Sequence, residues 1–523
     1  MKKTALLLLL LLLLVPAAQA ASPAVKTTSE EARRIGWPCW SGPLQNFHAI
    51  ACGHTLVDEL HQAKLVWQSE EITPVAKAFA SVSNANSGGR HGETQRGCYP
   101  GGGASPVVAD DRVLFSYYLP ADDSPWLACP TKSRWRQRPL LAKDMVLCID
   151  AATGKTLWKK EFPGGPFAIT NKGAGTSGLS PCIDQGRLYT FFTGHVLRAL
   201  DIQTGQVIWE TPLPDYAEQS LAYREAVQGL AEPVTAEALA ALPSDRSMHF
   251  GSRQGQNLVC IGGVVLVEGL LAFDAQTGKL LWQKKIRGYP SRWCSEQGEL
   301  ILMASNAPQD NKFICIEPKT GKEIWSTPFG GAPNDTMLGV EDNLAVGRAP
   351  GVAFTDQRGK DTGDGLLAAW RLGPKGATLI WRHDEKTGFK IPSKCQPVLT
   401  GGLVFCGVPD PPKEPYPVAC FDAQTGKHLG TIDVPSGRRP GDIMHLEDRL
   451  LILGDSAHIK NTAFWTWAGG QRFDAAGEPW VNPHPPTTPL YATITWPYVD
   501  GRLYMRGADG IYCYDLRKNP AVR

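Results

Sequence analysis

The sequence predicts an all-β protein. The expected form is a β-propeller of four-stranded blades, eight in number with seven as the fallback. Pairing of an N-terminal strand with the last blade would close the ring. Three observations carry this: one short motif recurs along the chain, a tryptophan stands at a fixed distance behind it, and the two chain ends hold complementary fragments of one unit.

The motif occurs as CIDAATGKTLW from Cys148, ALDIQTGQVIW from Ala199, AFDAQTGKLLW from Ala272 and CIEPKTGKEIW from Cys315. A further copy, CFDAQTGKHLG from Cys420, ends in Gly430 where the others have Trp. The apolar residues before the acid alternate as those of a strand do. Asp and Thr are suited to bonding the backbone of a tight turn, and Gly supplies the positive φ such turns need. After the turn a second strand carries Trp158, Trp209, Trp282 and Trp325, each four residues past its Gly. Constant spacing and period-two alternation place these rings on one face, where a large aromatic packs a sheet against its neighbour. KLVWQSE adds Trp67, TLIWRHD adds Trp381, and RFDAAGEPW reads as a worn copy with Trp480.

Successive positions of this aromatic are as close as 43 residues (Trp282 to Trp325), enough for a four-stranded sheet, and longer intervals imply insertions. A second recurring element, SPVVADDRVLF at Ser105, SPCIDQGRLYTF at Ser180, QPVLTGGLVF at Gln396 and VDGRLYM at Val499, reads as the hairpin feeding each motif strand. The chain opens with a lone strand at Trp67 and ends with GIYCYDL, a unit that stops at Asp515. Joining the two completes the last blade and hides both sheet edges. The count of eight depends on 435–482 forming a blade.

Residues 1–20 read as a secretory signal peptide: Lys2 and Lys3, an apolar run from Ala5 to Val15, and Ala18-Gln19-Ala20 before the cut. Residue 21 is Ala, not the Cys of a lipoprotein, so an exported chain, periplasmic or secreted, is expected, without an integral membrane segment. Residues 21–62 form an N-terminal extension, 63–516 the propeller, with insertions at 81–139 and 214–250, and 517–523 a tail. Removing two lysines from 53 basic residues leaves 51 against 51 acidic ones. Such a balance disfavours nucleic acid as a partner. A monomer is expected.

The chain has 13 cysteines. Cys148, Cys315, Cys420 and Cys513 stand where sister copies have Ala199 and Ala272, as small buried strand residues with free thiols would. Cys39 and Cys52 lie outside that pattern and are the better disulfide candidates.

Candidate ligand contacts fall in the first insertion. The Gly-rich stretch 81–106 presents Arg90, His91, Arg96 and Tyr99. The stretch 122–139 interleaves Trp126 and Trp135 with Arg134, Arg136 and Arg138, a composition suited to an anionic or sugar ligand. The second insertion, 216–245, reads as two short covering helices with a break at Pro233 and a start at Thr235. Asp356, Asp361 and Asp364 lack the register of a calcium loop. His48, His54 and His61 are widely spaced, and HExxH, CxxC, CxxCH, GxSxG and P-loop signals are absent, so no metal site is predicted.

The repeat resembles that of the PQQ-type, or quinoprotein-like, propellers over nearly the whole chain after the leader. WPCWSGP at Trp37 is similar to the Trp-Pro-x-Trp-x-Gly-Pro opening of many exported bacterial members. In the family's dehydrogenases the resemblance implies a quinone in the central funnel, stacked on Trp, beside calcium or a lanthanide, with an Asp as base. Several of those enzymes carry two adjacent cysteines under the cofactor. This sequence has no Cys-Cys pair and no haem-attachment motif. Other members resemble the scaffold subunit of the outer-membrane β-barrel assembly machinery. The expectation is therefore a non-catalytic envelope scaffold with no cofactor, binding a protein or glycan. The alternatives are a PQQ- and calcium-dependent alcohol or aldose dehydrogenase and a carbohydrate-binding or carbohydrate-acting propeller.

Overall fold

In the computed structural model the described residues are 28–70, 104–128, 137–166, 180–213, 217–231, 234–235, 237–238, 241–242, 258–267, 270–284, 286, 288–304, 312–328, 338–349, 365–383, 390–391, 396–407, 416–434, 440–454, 462–469, 472–475, 480–481, 483, 495–507 and 510–519. Antiparallel meanders follow one another in chain order as blades of a propeller, six of them four-stranded sheets and two five-stranded. Blade 1 comprises Val107–Ala109, Arg112–Pro120, Leu141–Asp150 and Thr156–Pro166. Blade 2 comprises Cys182–Asp184, Arg187–Phe191, Val196–Asp201 and Val207–Pro212. Blade 3 runs through Val259–Ile261, Val264–Val267, Leu271–Asp274 and Leu280–Gln283, and blade 4 through Ser291–Ser295, Gly298–Ala304, Lys312–Ile316 and Glu323–Pro328. Blade 5 contains Gly339–Glu341, Leu344–Ala349, Gly365–Gly373 and Gly376–Arg382, with Lys390–Ile391 added. Blade 6 contains Val398–Thr400, Leu403–Gly407, Tyr416–Asp422 and His428–Val434.

The region on which the blade count turned forms a sheet of its own, blade 7: Pro440–Leu446, Arg449–Gly454, Thr462–Gly469 and Arg472–Ala475, with Trp480–Val481 added. Blade 8 takes Tyr498–Val499, Arg502–Arg506 and Ile511–Asp515 from the end of the chain and its outer strand, Lys64–Gln68, from the start. That pairing removes two free edges at once. First strands of neighbouring blades touch one another, so they line the middle of the ring.

Each motif folds in one way. Asp150 Oδ1 accepts from the amides of Ala152 and Thr153 and from the Thr153 hydroxyl; Asp201, Asp274 and Asp422 repeat this, and Glu317 does so with both its oxygens. On the next strand the Trp stands directly across from the small residue two places before the acid: Trp158 from Cys148, Trp209 from Ala199, Trp282 from Ala272, Trp325 from Cys315 and Trp67 from Cys513; Trp381 faces Ala369 in the same way, with Arg371 standing where the acid would be. A large ring over a strand neighbour leaves room for Cys or Ala and little more, which explains their interchange. In every one of these pairs a bulge follows the small residue at once and re-aims the strand.

The ring then reaches into the following blade. Trp67 Nε1 donates to the Ala151 carbonyl at 3.0 Å, Trp158 to Ile202 at 3.1 Å, Trp209 to Ala275 at 3.2 Å, Trp282 to Pro318 at 2.7 Å and Trp381 to Ala423 at 2.9 Å. The indole lies on the motif glycine of that blade. A Cβ on Gly154, Gly205, Gly278, Gly321 or Gly426 would meet it at 2.5–2.7 Å. The glycine is thus required twice, for its φ of about +70 and for the space.

Two exceptions follow the same logic. Trp325 has no acceptor for its Nε1, because blade 5 turns at Gly373–Gly376 and lacks the motif. Gly430 replaces Trp in blade 6, and blade 7 also turns without the motif, at Gly469–Arg472. Trp480 corrects the sequence reading. RFDAAGEPW is not a turn between third and fourth strands; Arg472–Ala475 is itself the fourth strand, and Trp480 pairs with Ala463 beyond it. It still bridges blades, packing edge-on to Trp496 and Tyr514 of the blade 8 region.

The ten described cysteines all carry free thiols, Cys39 and Cys52 included, so the disulfide suggested for those two is not formed. The Cys39 thiol instead donates to the Gly42 carbonyl at 3.1 Å. Of the second insertion, Ala217–Gln228 is helical and packs on the outer strand of blade 1, burying Tyr223 and Val227 against Leu140 and Leu141. Thr235 caps a second start, accepting from the Ala238 amide.

The joint can be tested at Trp282 and Gly321. Trp282→Ala should cost about 3–5 kcal/mol in urea titration, and Gly321→Ala more than about 1 kcal/mol. The double variant should cost less than the sum, since truncating the ring relieves the clash. Losses below about 1 kcal/mol for both single variants would refute the packing role.

Candidate functional site at the two ends of the ring

In a four-stranded meander the first and third turns emerge at one end of the blade, and the second turn and the link to the next blade at the other. Here that separates the connections by length. First-to-second turns are two residues each, as at 110–111, 342–343, 447–448 and 500–501, and the motif turns lie beside them. Every long connection, including 69–106, 121–140, 167–181, 213–258, 350–364 and 482–497, leaves from the opposite end.

The turn end is plugged by the N-terminal extension. After a helix, Ser29–Ile35, residues 37–57 travel around the inside of the ring and bond the blades in ring order. Trp37 bridges to Val108 of blade 1, and the Pro38 carbonyl accepts from Ile183 of blade 2. The Pro43 carbonyl accepts from Arg292 of blade 4, and Asn46 donates to the Leu399 carbonyl of blade 6. Phe47 and Ala49 pair with His445 of blade 7, and Val57 donates to Leu516 beyond the last strand of blade 8. Trp37, Trp40 and Phe47 are buried in the same apolar cluster as the inner strands, Trp40 and Phe47 edge to face at 4.9 Å. Thr495, just ahead of blade 8, donates to the Trp40 carbonyl. The WPCWSGP motif is therefore the stopper of the channel.

Where the plug leaves the ring it brings chemistry with it. Cys52, His54 and Asp500 place their ligating atoms within 4.8 Å of one another, the single such group of three among the described residues. His54 Nε2 lies 2.7 Å from Asp500 Oδ1, and Arg33 Nε lies 3.8 Å from Asp500 Oδ2. Glu447 accepts from the amides of Cys52 and Gly53 at 2.9 Å each and from the Tyr498 hydroxyl at 3.1 Å. Burial, then the nearby Asp500 and Glu447 charges, raise the Cys52 thiol to about 12. Hydrogen bonds from His54 and Ser29 hold Asp500 below the usual carboxylate range against the effect of burial.

At the long-connection end two buried groups stand out. Asp144 lies near the start of the third strand of blade 1, fully buried, and accepts from the Thr193 hydroxyl at 2.5 Å and the Gly194 amide at 3.1 Å of blade 2. Desolvation raises it to about 6 in spite of those bonds. Arg506, at the end of the second strand of blade 8, donates to the Ala104 carbonyl and lies 4.7 Å over the Phe115 ring. Its Nε has no acceptor, and burial lowers it to about 9.

Of the candidate ligand residues, Arg90, His91, Arg96, Tyr99, Arg134, Trp135 and Arg136 lie outside the described residues, as do Arg90's neighbours across 71–103 and the acids Asp356, Asp361 and Asp364. Trp126 opens a short hairpin, Trp126–Ala128 with Gln137–Pro139. His48 and His54 belong to the plug, and His61 pairs with Glu59 nearby. No sequence signal joined Cys52 and His54 to Asp500, which the chain supplies 446 residues after His54.

The sequence comparisons place the repeat in a family. The sequence profile of the family described as outer membrane protein assembly factor BamB matches residues 63–327 and 268–457, and the chain belongs to that family. Curated relatives include the dehydrogenase subunits of alcohol dehydrogenase (quinone) from Gluconacetobacter polyoxogenes and Komagataeibacter europaeus. Each is 28% identical over 250 residues, which is 46% of this chain and 30% of the relative. The match thus spans under a third of the length of those relatives. Among solved structures, BamB from Moraxella catarrhalis aligns with a TM-score of 0.44 at 13% identity, covering 76% of this chain and 97% of that one. Quinohemoprotein alcohol dehydrogenase from Comamonas testosteroni aligns with a TM-score of 0.46 at 13% identity, covering 96% and 84%. No helix among the described residues is long and apolar enough to cross a membrane.

The plug is expected to make the ring sensitive to acid. His48 Nδ1 lies 2.7 Å from Thr400 Oγ1, and its ring meets His445 edge-on at 4.9 Å. Desolvation first, then His445, lowers His48 from 6.5 to about 3. A depressed histidine contributes stability that is complete above its unfolded value and is lost as pH falls from 6.5 towards 3. Asp144 acts in the opposite sense, its contribution being lost as pH rises from 3.8 through about 6. His48→Gln should therefore remove about 2 kcal/mol of the stability difference between pH 7 and pH 4, measured by denaturant titration at the two pH values. An unchanged slope would show that His48 protonates freely in the folded protein.

Proposed function

We propose that the protein is an exported scaffold that holds a protein or glycan partner on the long-connection end of its ring. The observation that supports this best is the asymmetry of the two ends. The chain's own residues 37–57 occupy the turn end, and the connections of greatest length leave from the other. Function on rigid rings resides in such connections, which vary freely while the blades hold them in place. The stretch bearing Arg90, His91, Arg96 and Tyr99 links blade 8 to blade 1, and the one bearing Trp126, Arg134, Trp135 and Arg136 links the second and third strands of blade 1. Both connections belong to that end by chain order. Their arginines and aromatics suit a partner that is anionic or carries sugars. The leader-like first twenty residues support export, and membership of the assembly-factor family supports a partner in the cell envelope.

A dehydrogenase is the second reading, favoured by the quinone alcohol dehydrogenase subunits among the relatives. When bound, pyrroloquinoline quinone supplies two-electron oxidation of an alcohol. The described residues meet its needs unevenly. Arg506, with a buried Nε lacking an acceptor, is a donor an anionic quinone could use. The calcium side does not fit: the one three-residue ligand group among the described residues contains a thiol and lies at the plugged end, whereas calcium takes oxygen ligands alone.

One pair of measurements separates the readings. In cells, a photo-crosslinking residue replacing Arg96 or Trp135 should give discrete adducts, and one replacing Lys155 in a motif turn should give none. The purified protein, titrated calorimetrically with pyrroloquinoline quinone and calcium, should show no stoichiometric binding and no alcohol-dependent dye reduction. Saturable binding with dye turnover would overturn the scaffold in favour of the enzyme.

A further inference from the structure

We propose that Cys52, His54 and Asp500 form a zinc site that clasps the plug to the seam of the ring. One ligating atom of each, Cys52 Sγ, a His54 ring nitrogen and an Asp500 carboxylate oxygen, already stand within 4.8 Å of one another. A tetrahedral zinc shell with bonds of about 2.0–2.3 Å holds its ligand atoms about 3.3–3.7 Å apart, so closure needs side-chain adjustment and no movement of the blades. A thiol, an imidazole and a carboxylate are a borderline-soft set that selects zinc over calcium or magnesium. Cys52 and His54 are half-buried, which leaves a path for the ion and a fourth position for water.

The surroundings hold the ligands from behind. Glu447 grips the amides of Cys52 and Gly53 with its two oxygens and is itself fixed by Tyr498, so the ligand-bearing turn is oriented by blade 7. Asp500 turns Oδ1 to His54 while Oδ2 faces Arg33, leaving one oxygen for the metal. Outer contacts of this kind orient metal ligands and raise their affinity. Asp500 and Glu447 also surround Cys52 with two carboxylates against one arginine, a field that favours a divalent cation. The ligands come from two places: the plug supplies Cys52 and His54, and the first turn of blade 8 supplies Asp500. Blade 8 is the sheet closed by the N-terminal strand, so a bound ion would fasten plug and ring closure together.

The test uses the full mature chain, stripped with a chelator and titrated with cobalt(II), then zinc(II). One cobalt per chain should bind with a thiolate-to-metal charge-transfer absorption, zinc should displace it, and zinc should raise the melting temperature in a concentration-dependent way. Cys52→Ser and His54→Gln should weaken binding by more than about 100-fold, and Glu447→Gln by about 10–100-fold. Cys294→Ser, at an exposed cysteine away from the cluster, should leave it unchanged. Because a variant could unfold, wild-type protein is also alkylated with and without zinc and read by mass spectrometry. Zinc should protect Cys52 and leave Cys294 reactive. Absence of the charge-transfer band, equal alkylation of Cys52 in both conditions, or a band that survives Cys52→Ser and disappears in Cys294→Ser would each overturn the site.

Discussion

The ring depends on one contact made again and again: an indole of one blade seated on the glycine of the next, its N–H bonded to a carbonyl in the same turn. The contact couples three demands. The glycine must have positive φ to close the turn, it must lack a side chain to admit the ring, and the acid two residues behind the small strand residue must hold the turn in shape. Losing any one loosens the joint rather than the blade. The joints that lack the motif show the converse, since Trp325 meets a turn without it and keeps an unbonded N–H. There the aromatic packs on Phe313 and Trp293 of its own blade, within an apolar cluster that continues into blade 5.

A ring of sheets has a hole, and an apolar hole needs a filling. The N-terminal extension meets that need with Trp37, Trp40 and Phe47. Because it follows the wall and bonds inner strands of successive blades, it resists sliding of one blade past another. It also removes one end of the channel from use. On the proposed reading a macromolecular partner is met by the opposite end, from which the longest connections leave.

The buried ionisable groups divide along the same axis. Asp144 joins blades 1 and 2 at the long-connection end, and its raised value shows that burial outweighs the two hydrogen bonds it receives. Asp500, at the plug end, keeps its charge because His54, Ser29 and Arg33 surround it. The first is a joint made with a carboxyl; the second is an anion held ready beside a thiol and an imidazole.

Much of the fold was legible in the sequence because it rests on local chemistry. Turn residues, strand alternation and the Gly-to-Trp spacing are short-range facts, and they placed the blades, the closure of the ring by the Trp67 strand on the last blade, and the small buried residues of the motif strands. Reading failed where local likeness had no structural cause: RFDAAGEPW has the letters of a motif, yet its first residues are a fourth strand and Trp480 lies beyond them. The stopper role of WPCWSGP and the meeting of Cys52, His54 and Asp500 were decided by the tertiary structure alone. Only closure of the ring brings residue 500 beside residue 54, and no spacing along a chain reports a distance that the last blade creates.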